Sequence, residues 1–284
     1  MLTIVIDGVA YGMVLFILAV GLSVTLGLMN FVNLAHGAFA MAGGYITVVL
    51  TSRAGVPFLA ALPVAFLATA ALGVLLERTL YRQLYDRPHL DQVLFSIGLV
   101  YMAIASIDYL VGPEQQFVTL PAALQGRVEI LGIPVGRYRL FIIILCGLTV
   151  LALQTILSRS RFGSRLRASV DDARVARGLG IGVNRVFAIT FAVGSGLAGL
   201  GGALGAEILG LDPNFPLKFM IYFLIVVTVG GTSSIAGPFL AALLLGVADV
   251  AGKYYVPEAG AFIIYVLMMA VLLIRPEGIF ARGR

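Results

Sequence analysis

The chain has 284 residues, of which 60% are apolar (AVILMFWYC) and 12% are charged. Soluble domains contain about 45–50% apolar and about 25% charged residues, so this composition excludes an ordinary soluble domain. One cysteine, Cys146, and two histidines exclude a disulfide scaffold and a zinc module. The net charge of +5 comes from basic residues placed between apolar runs. The sequence therefore predicts an integral membrane protein with no nucleic-acid partner.

Long intervals without Asp, Glu, Lys or Arg define the predicted membrane spans. The longest interval has 45 residues, between Asp7 and Arg53. A helix needs about 20 apolar residues to cross a hydrocarbon core of about 30 Å, so this run must contain more than one helix. We predict an all-α integral membrane fold, with one transmembrane domain over 1–284 and eight or nine crossings. The predicted spans are 5–28, 35–52, 57–77, 92–112, 139–158, 186–208, 217–231, 236–252 and 259–275, of which the 217–231 and 236–252 pieces are short.

Two stretches that contain glycine interrupt the longest apolar runs. The first covers residues 27–37, and the second covers 230–238 and begins with Gly230 and Gly231. Glycine and proline interrupt helical hydrogen bonding, and in a membrane the freed backbone groups must be satisfied by protein or water. Each stretch therefore predicts a broken helix at a membrane edge or beside a polar cavity.

Asn33, His36 and Gly37 lie in the first of these breaks. Polar side chains inside a membrane span are candidates for function, because they are costly in lipid unless they are paired or hydrated. Two interpretations are open. These residues either brace the break, with Asn33 accepting backbone N–H groups as an N-cap does, or they lie on the path of a solute. A proton relay is disfavoured because the same run contains no carboxylate.

The basic residues predict the orientation of the chain. Thirteen of the 19 fall on one side of the alternating spans and six on the other. The positive-inside rule places the richer side, with the 78–91 loop, the 159–185 loop and the C-terminus, in the cytoplasm. Nine crossings would put the N-terminus outside, and eight would put it inside. The 113–138 segment reads as an ordered external loop, and three carboxylates near external helix ends read as interfacial groups or contacts to an external partner: Asp108, Glu207 and Asp249.

The 159–185 loop is the longest cytoplasmic loop and the most basic one. An apolar stripe at i, i+4 and i+7 predicts one helix of about 14 residues within 164–180; it consists of Leu166, Val170 and Ala173. Asp171 is spaced to pair with Arg167 and with Arg174 on the opposite face. Gly178 and Gly180 are natural terminators of this helix.

Two interpretations of this helix compete. A basic helix at the membrane surface commonly anchors on anionic lipid headgroups. The alternative is a docking helix for a cytoplasmic partner. Asp171 and Asp172 lie in the middle of the basic run, where anionic lipid would repel them, and this favours docking.

Several stretches, in order along nearly the whole chain, resemble the permeases of bacterial ABC importers, specifically the high-affinity branched-chain amino acid family. One is Gly21–Tyr45, which contains NFVNLAHG, and the others are the 159–185 loop, Gly180–Gly202, Gly230–Pro238 and Arg275–Phe280. Leu34 replaces the phenylalanine expected in the first string, and Ser233-Ser234 stands where Gly-Ser is usual. The length and the early NLAHG string resemble the first of the two permease types that pair in these transporters.

The resemblance implies a transport subunit, not an enzyme, in the bacterial cytoplasmic (inner) membrane. It implies a second, similar permease chain, two cytoplasmic ATPase subunits and a periplasmic or extracellular substrate-binding protein. The 159–185 loop would then be the coupling loop, which contacts the ATPases through Arg165, Arg167, Asp171, Asp172, Arg174 and Gly180. The chain has no GxxxxGK[ST] string, so we expect it to bind no cofactor and the partner subunits to use the ATP. Urea and short amides remain alternative substrates to branched-chain amino acids.

An ion-coupled secondary transporter is the main rival from another class. Such transporters hold the coupling ion with carboxylates or unwound carbonyls near the membrane midplane. The central parts of the predicted spans contain no carboxylate, which counts against this class. A purely structural membrane scaffold is a third alternative, but it would not need two broken helices.

Overall fold

A computed structural model describes residues 1–29, 31, 33–85, 87–130, 132–231, 235–275 and 278–279. Within these residues, nine helices correspond to the nine predicted spans. They are α1 (Leu2–Met29), α2 (His36–Ser52), α3 (Phe58–Thr79), α4 (His89–Val111), α5 (Arg137–Arg159), α8 (Val183–Leu209), α9 (Phe215–Gly230), α10 (Ala236–Tyr255) and α11 (Gly260–Ile274). The two remaining α-helices, α6 (Arg161–Asp171) and α7 (Ala173–Gly178), lie in the 159–185 loop, and a 3₁₀ turn covers Tyr81–Leu84.

This arrangement confirms the all-α polytopic fold and both predicted interruptions. No predicted helix end differs from the observed one by more than three residues. Six of the nine helices are long and apolar enough to cross a membrane: α1, α3, α4, α5, α8 and α10. The prediction that the 236–252 piece is short was wrong, because α10 has 20 residues. The three shorter helices, α2, α9 and α11, have 17, 16 and 15 residues, and each adjoins one of the two breaks or the chain's last described segment.

The centre of the bundle is formed by α1 and α8. In the most apolar window of α1, 89% of residues are buried inside the chain, against 11% for α4 at the periphery. Glycines allow the central helices to approach closely, as small residues do in membrane bundles. Gly21 of α1 lies against the backbone of Gly194 in α8, and Gly43 of α2 lies against Gly199. The outer helices α3, α4 and α5 expose leucine-rich faces that suit lipid or another subunit.

The two ends of the bundle can be told apart by contacts between loops. Asp7, near the start of α1, forms an ion pair with Arg139 at the start of α5. Met1 contacts the Tyr255 hydroxyl at the end of α10. The N-terminus therefore lies at the same end as the 112–136 segment, which is the predicted external end. This placement agrees with the alternative of nine crossings.

The predicted external loop is ordered and contains a small hairpin. Strand β1 (Arg127–Ile130) pairs antiparallel with β2 (Ile133–Gly136), and Arg127 is opposite Gly136. Gln116 exchanges two backbone hydrogen bonds with Leu211, of 2.7 and 3.2 Å. These bonds hold the loop against the connection between α8 and α9.

We predict that Gly12→Ala destabilises the bundle. A Cβ at Gly12 would lie 2.6 Å from the carbonyl oxygen of Ala242, which is a backbone atom of α10 and cannot move aside. We expect a loss of about 1–3 kcal/mol in the free energy of unfolding, measured as a lower thermal midpoint of the protein in detergent. The matched control is Gly147→Ala, where nothing lies within 4 Å of the new Cβ. An equal loss in the control would contradict the explanation by close packing.

Candidate functional site

The first helix of the 159–185 loop is fixed to the membrane bundle. Ser160 caps α6, because its side chain accepts a hydrogen bond from the Gly163 N–H at 3.2 Å. Leu166 and Ser169 are each 1% exposed and form the inward face of α6, which packs on α1, α5 and α8. Gly163 lies against the backbone of Leu157 in α5. α6 is thus seated on both central helices.

The prediction of one continuous helix in this loop was wrong. The chain leaves the helical conformation at Asp172 (φ −152°), and its side chain caps a separate helix, α7. One carboxylate oxygen of Asp172 accepts the backbone N–H groups of Arg174 and Val175 at 2.8 and 2.9 Å. Aspartate offers the backbone this alternative to a helix, which is why it favours N-caps over helix interiors. Gly180 then adopts φ +80° and ends the turn, as predicted for a terminator.

The residues predicted to contact the ATPases form an exposed surface. Arg165, Arg167, Asp171, Asp172, Arg174 and Gly180 are all exposed to solvent. The predicted pairs of Asp171 with Arg167 and Arg174 are not formed: none of the ion pairs among the described residues involves Asp171. Arg167 instead donates to the Leu157 carbonyl oxygen at 2.5 Å, which ties α6 to the end of α5. Asp171 and Arg174 therefore keep their charges available to a partner.

Sequence reasoning missed the apolar part of this surface. Val175 is 57% and Leu179 is 75% exposed, although the periodicity assigned the apolar face to other positions. Leu179 and Phe162 line a cleft of about 470 Å³ between α6 and the start of α8, together with Arg165 and Arg185. An exposed leucine beside arginines is typical of a protein contact surface more than of a solvated loop.

The first helix break is held by side chains from α4 and from the segment that joins α3 to α4. Tyr81 donates a 3.0 Å hydrogen bond from its hydroxyl to Asn33 Oδ1, and the Leu34 N–H donates to Ser96 Oγ at 3.2 Å. The Phe31 ring meets the rings of Tyr81 and Tyr85 edge to face, with centroids 5.4 and 5.5 Å apart. Burial raises the pKa of both tyrosines, so their hydroxyls remain protonated donors.

Asn33 and His36 brace the break, each in its own way. The predicted capping of α2 by the Asn33 side chain was wrong, because α2 begins after Ala35 and no side chain caps it. The Nε2 atom of His36 donates a 2.8 Å hydrogen bond to the Leu18 carbonyl oxygen of α1. Both side chains are almost fully buried, at 1% and 2% exposure. Gly37 provides space for α9, since a Cβ there would lie 2.9 Å from Pro216 Cα.

The described residues on either side of the second break also show that the helix is interrupted there. α9 ends at Gly230, and Gly231 adopts φ +79°. The last described segment packs here: the Ile279 N–H donates to the Val229 carbonyl oxygen at 2.9 Å, and Gly278 lies against Gly231. The predicted break also covers residues 232–234, and the terminal motif covers 276, 277 and 280, all of which lie outside the described residues.

Of the three carboxylates predicted to be interfacial, Asp108 and Glu207 are exposed. Asp249 is not: it lies inside the bundle, 1% exposed. Among the described residues, no group of three or more His, Cys, Asp or Glu side chains could hold a metal ion.

These features define a polytopic helical membrane protein with a fixed, charged loop at one end and two broken helices. A family model described as branched-chain amino acid transport system / permease component matches residues 4–272. The chain belongs to this family. No solved structure matches it.

Named relatives are similar over nearly the whole chain. The high-affinity branched-chain amino acid transport system permease protein BraD of Pseudomonas aeruginosa is 28% identical, over 98% of this chain and 94% of the relative. The corresponding protein LivH of Escherichia coli K12 is 27% identical, over 97% and 94%. The permease protein LivM of the same organism is 26% identical, over 96% of this chain and 69% of the relative.

We predict that Tyr81→Phe loosens the first break. The substitution keeps the buried ring and removes the hydroxyl that Asn33 Oδ1 accepts from, and an unsatisfied buried acceptor costs about 1–3 kcal/mol. A lower thermal midpoint in detergent is the expected result. Tyr109→Phe is the control, because Tyr109 is 89% exposed and should tolerate the change. If both variants keep the native midpoint, the Tyr81–Asn33 bond does not hold the break.

Proposed function

We propose that this chain is the permease subunit of an ATP-driven importer that carries branched-chain or similar neutral amino acids into the cytoplasm. Separate cytoplasmic ATPases would hydrolyse the ATP, and an external binding protein would deliver the substrate to the permease in the cytoplasmic membrane. Family membership supports the transport role. The observation that carries the mechanism is the position of α6, which packs on α1 and α8 and exposes a charged outer face.

A second, related permease chain completes the proposed transporter. The present chain is similar to both LivH and LivM, which are two permease proteins of one organism's high-affinity branched-chain amino acid system. The leucine-rich faces of the outer helices leave ample surface for such a partner. The solute path would then form where the two chains meet.

The proposed coupling depends on how α6 is attached. The Ser160 hydroxyl and Arg167 donate to the carbonyl oxygens of Ile156 and Leu157 in α5, so α6 moves with the end of α5. Its buried face contacts α1 and α8, so a push by the ATPases reaches the two central helices directly. Each nucleotide state must favour one permease conformation by a difference in affinity, because equal binding to both would shift nothing.

The scarcity of fixed charge in the spans suits transport of a zwitterion. A path with few charges holds a neutral amino acid weakly, and selection among solutes would then fall to the binding protein. Urea or a short amide would pass under the same conditions. The substrate is identified by measuring which solute the cognate binding protein captures.

One experiment distinguishes the proposed ATP-driven importer from a transporter driven by an ion gradient. The complex is reconstituted in liposomes with its ATPases and binding protein, and uptake of labelled leucine is measured with ATP alone, and with a proton or sodium gradient alone. Uptake with ATP and none with either gradient is the result we expect. Uptake driven by a gradient without ATP would reverse the proposal.

We predict that Asp171→Lys and Arg174→Glu separate ATP hydrolysis from uptake. Both residues are exposed and outside the ion pairs of the described chain, so the protein should fold and insert normally. Reversing a charge at a protein contact commonly costs several kcal/mol. We therefore expect uptake to fall at least about tenfold, while basal ATP hydrolysis by the assembled ATPases continues.

The controls reverse exposed charges at the opposite end of the bundle. Glu114→Lys matches Asp171→Lys, and Arg53→Glu matches Arg174→Glu. Both controls should keep uptake and hydrolysis coupled in the same vesicles. Normal transport by both loop variants would remove these residues from the coupling surface.

A further inference from the structure

An ion pair with a buried carboxylate lies in the outer part of α10 and has no role in the coupling described above. Asp249 is 1% exposed, and its Oδ2 accepts a 2.6 Å hydrogen bond from the Lys253 ammonium one turn later. Its other oxygen, Oδ1, is buried and has no hydrogen-bond partner among the described residues. An ionisable side chain inside a membrane bundle is expensive, so such a group is a candidate for function.

Aromatic rings lie near this ion pair. The Lys253 ammonium lies 5.7 Å from the centroid of the Tyr11 ring, within the range of a cation–π contact. Tyr11 and Tyr222 are both within electrostatic reach of Asp249. Tyr222 lies next to Tyr265 of α11, with ring centroids 6.4 Å apart. A carboxylate and a tyrosine ring thus hold a primary alkylammonium ion, which is that of Lys253.

The lysine side chain, unlike the carboxylate, reaches the surface of the chain. The side chain of Lys253 is 51% exposed, whereas that of Asp249 is 1% exposed. Lysine has a flexible four-carbon stem, so its ammonium can swing outward without disturbing α10. The buried Asp249 carboxylate would then face the outer end of the bundle with both oxygens available.

We propose that Asp249 and Lys253 form a docking site for the transported amino acid at the outer end of the permease. The substrate ammonium replaces the lysine ammonium at Asp249, and the displaced Lys253 pairs with the substrate carboxylate. The rings of Tyr11, Tyr222 and Tyr265 contact the aliphatic side chain. This inference rests on the proposed function, and it names the two charges of the substrate that the permease itself recognises.

The pairing follows from the chemistry of the site. An α-amino acid zwitterion carries its ammonium and its carboxylate on the same carbon atom, and an opened Asp–Lys pair presents the complementary charges on one helix face. A buried carboxylate with an unused oxygen gains a donor when an ammonium group arrives, which removes the cost of an unsatisfied acceptor. A pair that only stabilised α10 would need no unpaired buried oxygen.

Variants of the pair are tested in the reconstituted complex with labelled leucine, binding protein and ATP. Asp249→Asn keeps the size of the side chain and removes its charge, and we expect uptake to fall at least about tenfold. The double variant Asp249→Lys with Lys253→Asp restores an ion pair but places the negative charge at the exposed position. We expect this double variant to recover the thermal midpoint and not the uptake.

The control is a second ion pair of the same chemistry. Asp212 and Lys218 pair between the end of α8 and the start of α9, and Asp212→Asn should leave uptake within about twofold of the wild type. Wild-type uptake by Asp249→Asn would overturn the inference, and so would recovery of uptake in the double variant. Absence of ATP-driven leucine uptake in the wild type would instead contradict the proposed function.

A binding measurement on the wild type does not depend on whether a variant folds. The assembled complex without binding protein is heated with leucine, with leucinol, which lacks the carboxylate, or with 4-methylpentanoate, which lacks the ammonium. We expect leucine to raise the thermal midpoint most and 4-methylpentanoate not at all, as ligand binding to the folded state requires. An equal shift with 4-methylpentanoate, or no shift with leucine, would show that the Asp249–Lys253 pair does not bind the ammonium group of the substrate.

Discussion

The close packing of α1 on α8 is the contact on which the rest of this structure depends. Helices in lipid gain little from the hydrophobic effect and associate through van der Waals contact, which requires small residues where their backbones meet. Gly21 against Gly194 provides such a contact in the middle of the bundle. α10 and α2 then pack on this central pair through further glycines. A side chain at any of these positions would separate the helices that position both breaks.

The two breaks are possible because protein groups satisfy the backbone and polar atoms that they expose. The Leu34 N–H donates a hydrogen bond to Ser96, and the Asn33 side chain accepts one from the Tyr81 hydroxyl. At the second break, the Val229 carbonyl oxygen accepts from Ile279. Ser96 belongs to the membrane helix α4, whereas Tyr81 and Ile279 come from segments outside the spans. The breaks are thus fixed joints between the membrane helices and the loops at the end that carries α6.

The sequence was sufficient for the helices and insufficient for the polar contacts between them. Charge-free runs predicted nine helices to within three residues at every end, because lipid imposes apolar length directly on the sequence. Asp172 was read as a surface charge, but whether an aspartate continues a helix or caps the next one depends on packing that spacing does not reveal. The Tyr81–Asn33 bond joins residues 48 positions apart, and no local pattern predicts such a contact. Asp249 was interpreted as interfacial because it lies near the end of the predicted span 236–252, whereas burial depends on which neighbours cover that face.

The division of the 159–185 loop at Asp172 changes how force would cross it. A single rigid helix across the loop would move as one body and transmit the whole displacement of the partner. In the observed structure α6 is fixed to α5 by hydrogen bonds from Ser160 and Arg167, and α7 is joined to it through one extended residue. α7 carries the exposed Val175 and the Arg174 charge, and Leu179 follows its end. A partner that binds α7 and the exposed edge of α6 together would therefore fix the angle at Asp172. That angle decides whether movement of the partner is lost in bending the loop or delivered to α1 and α8.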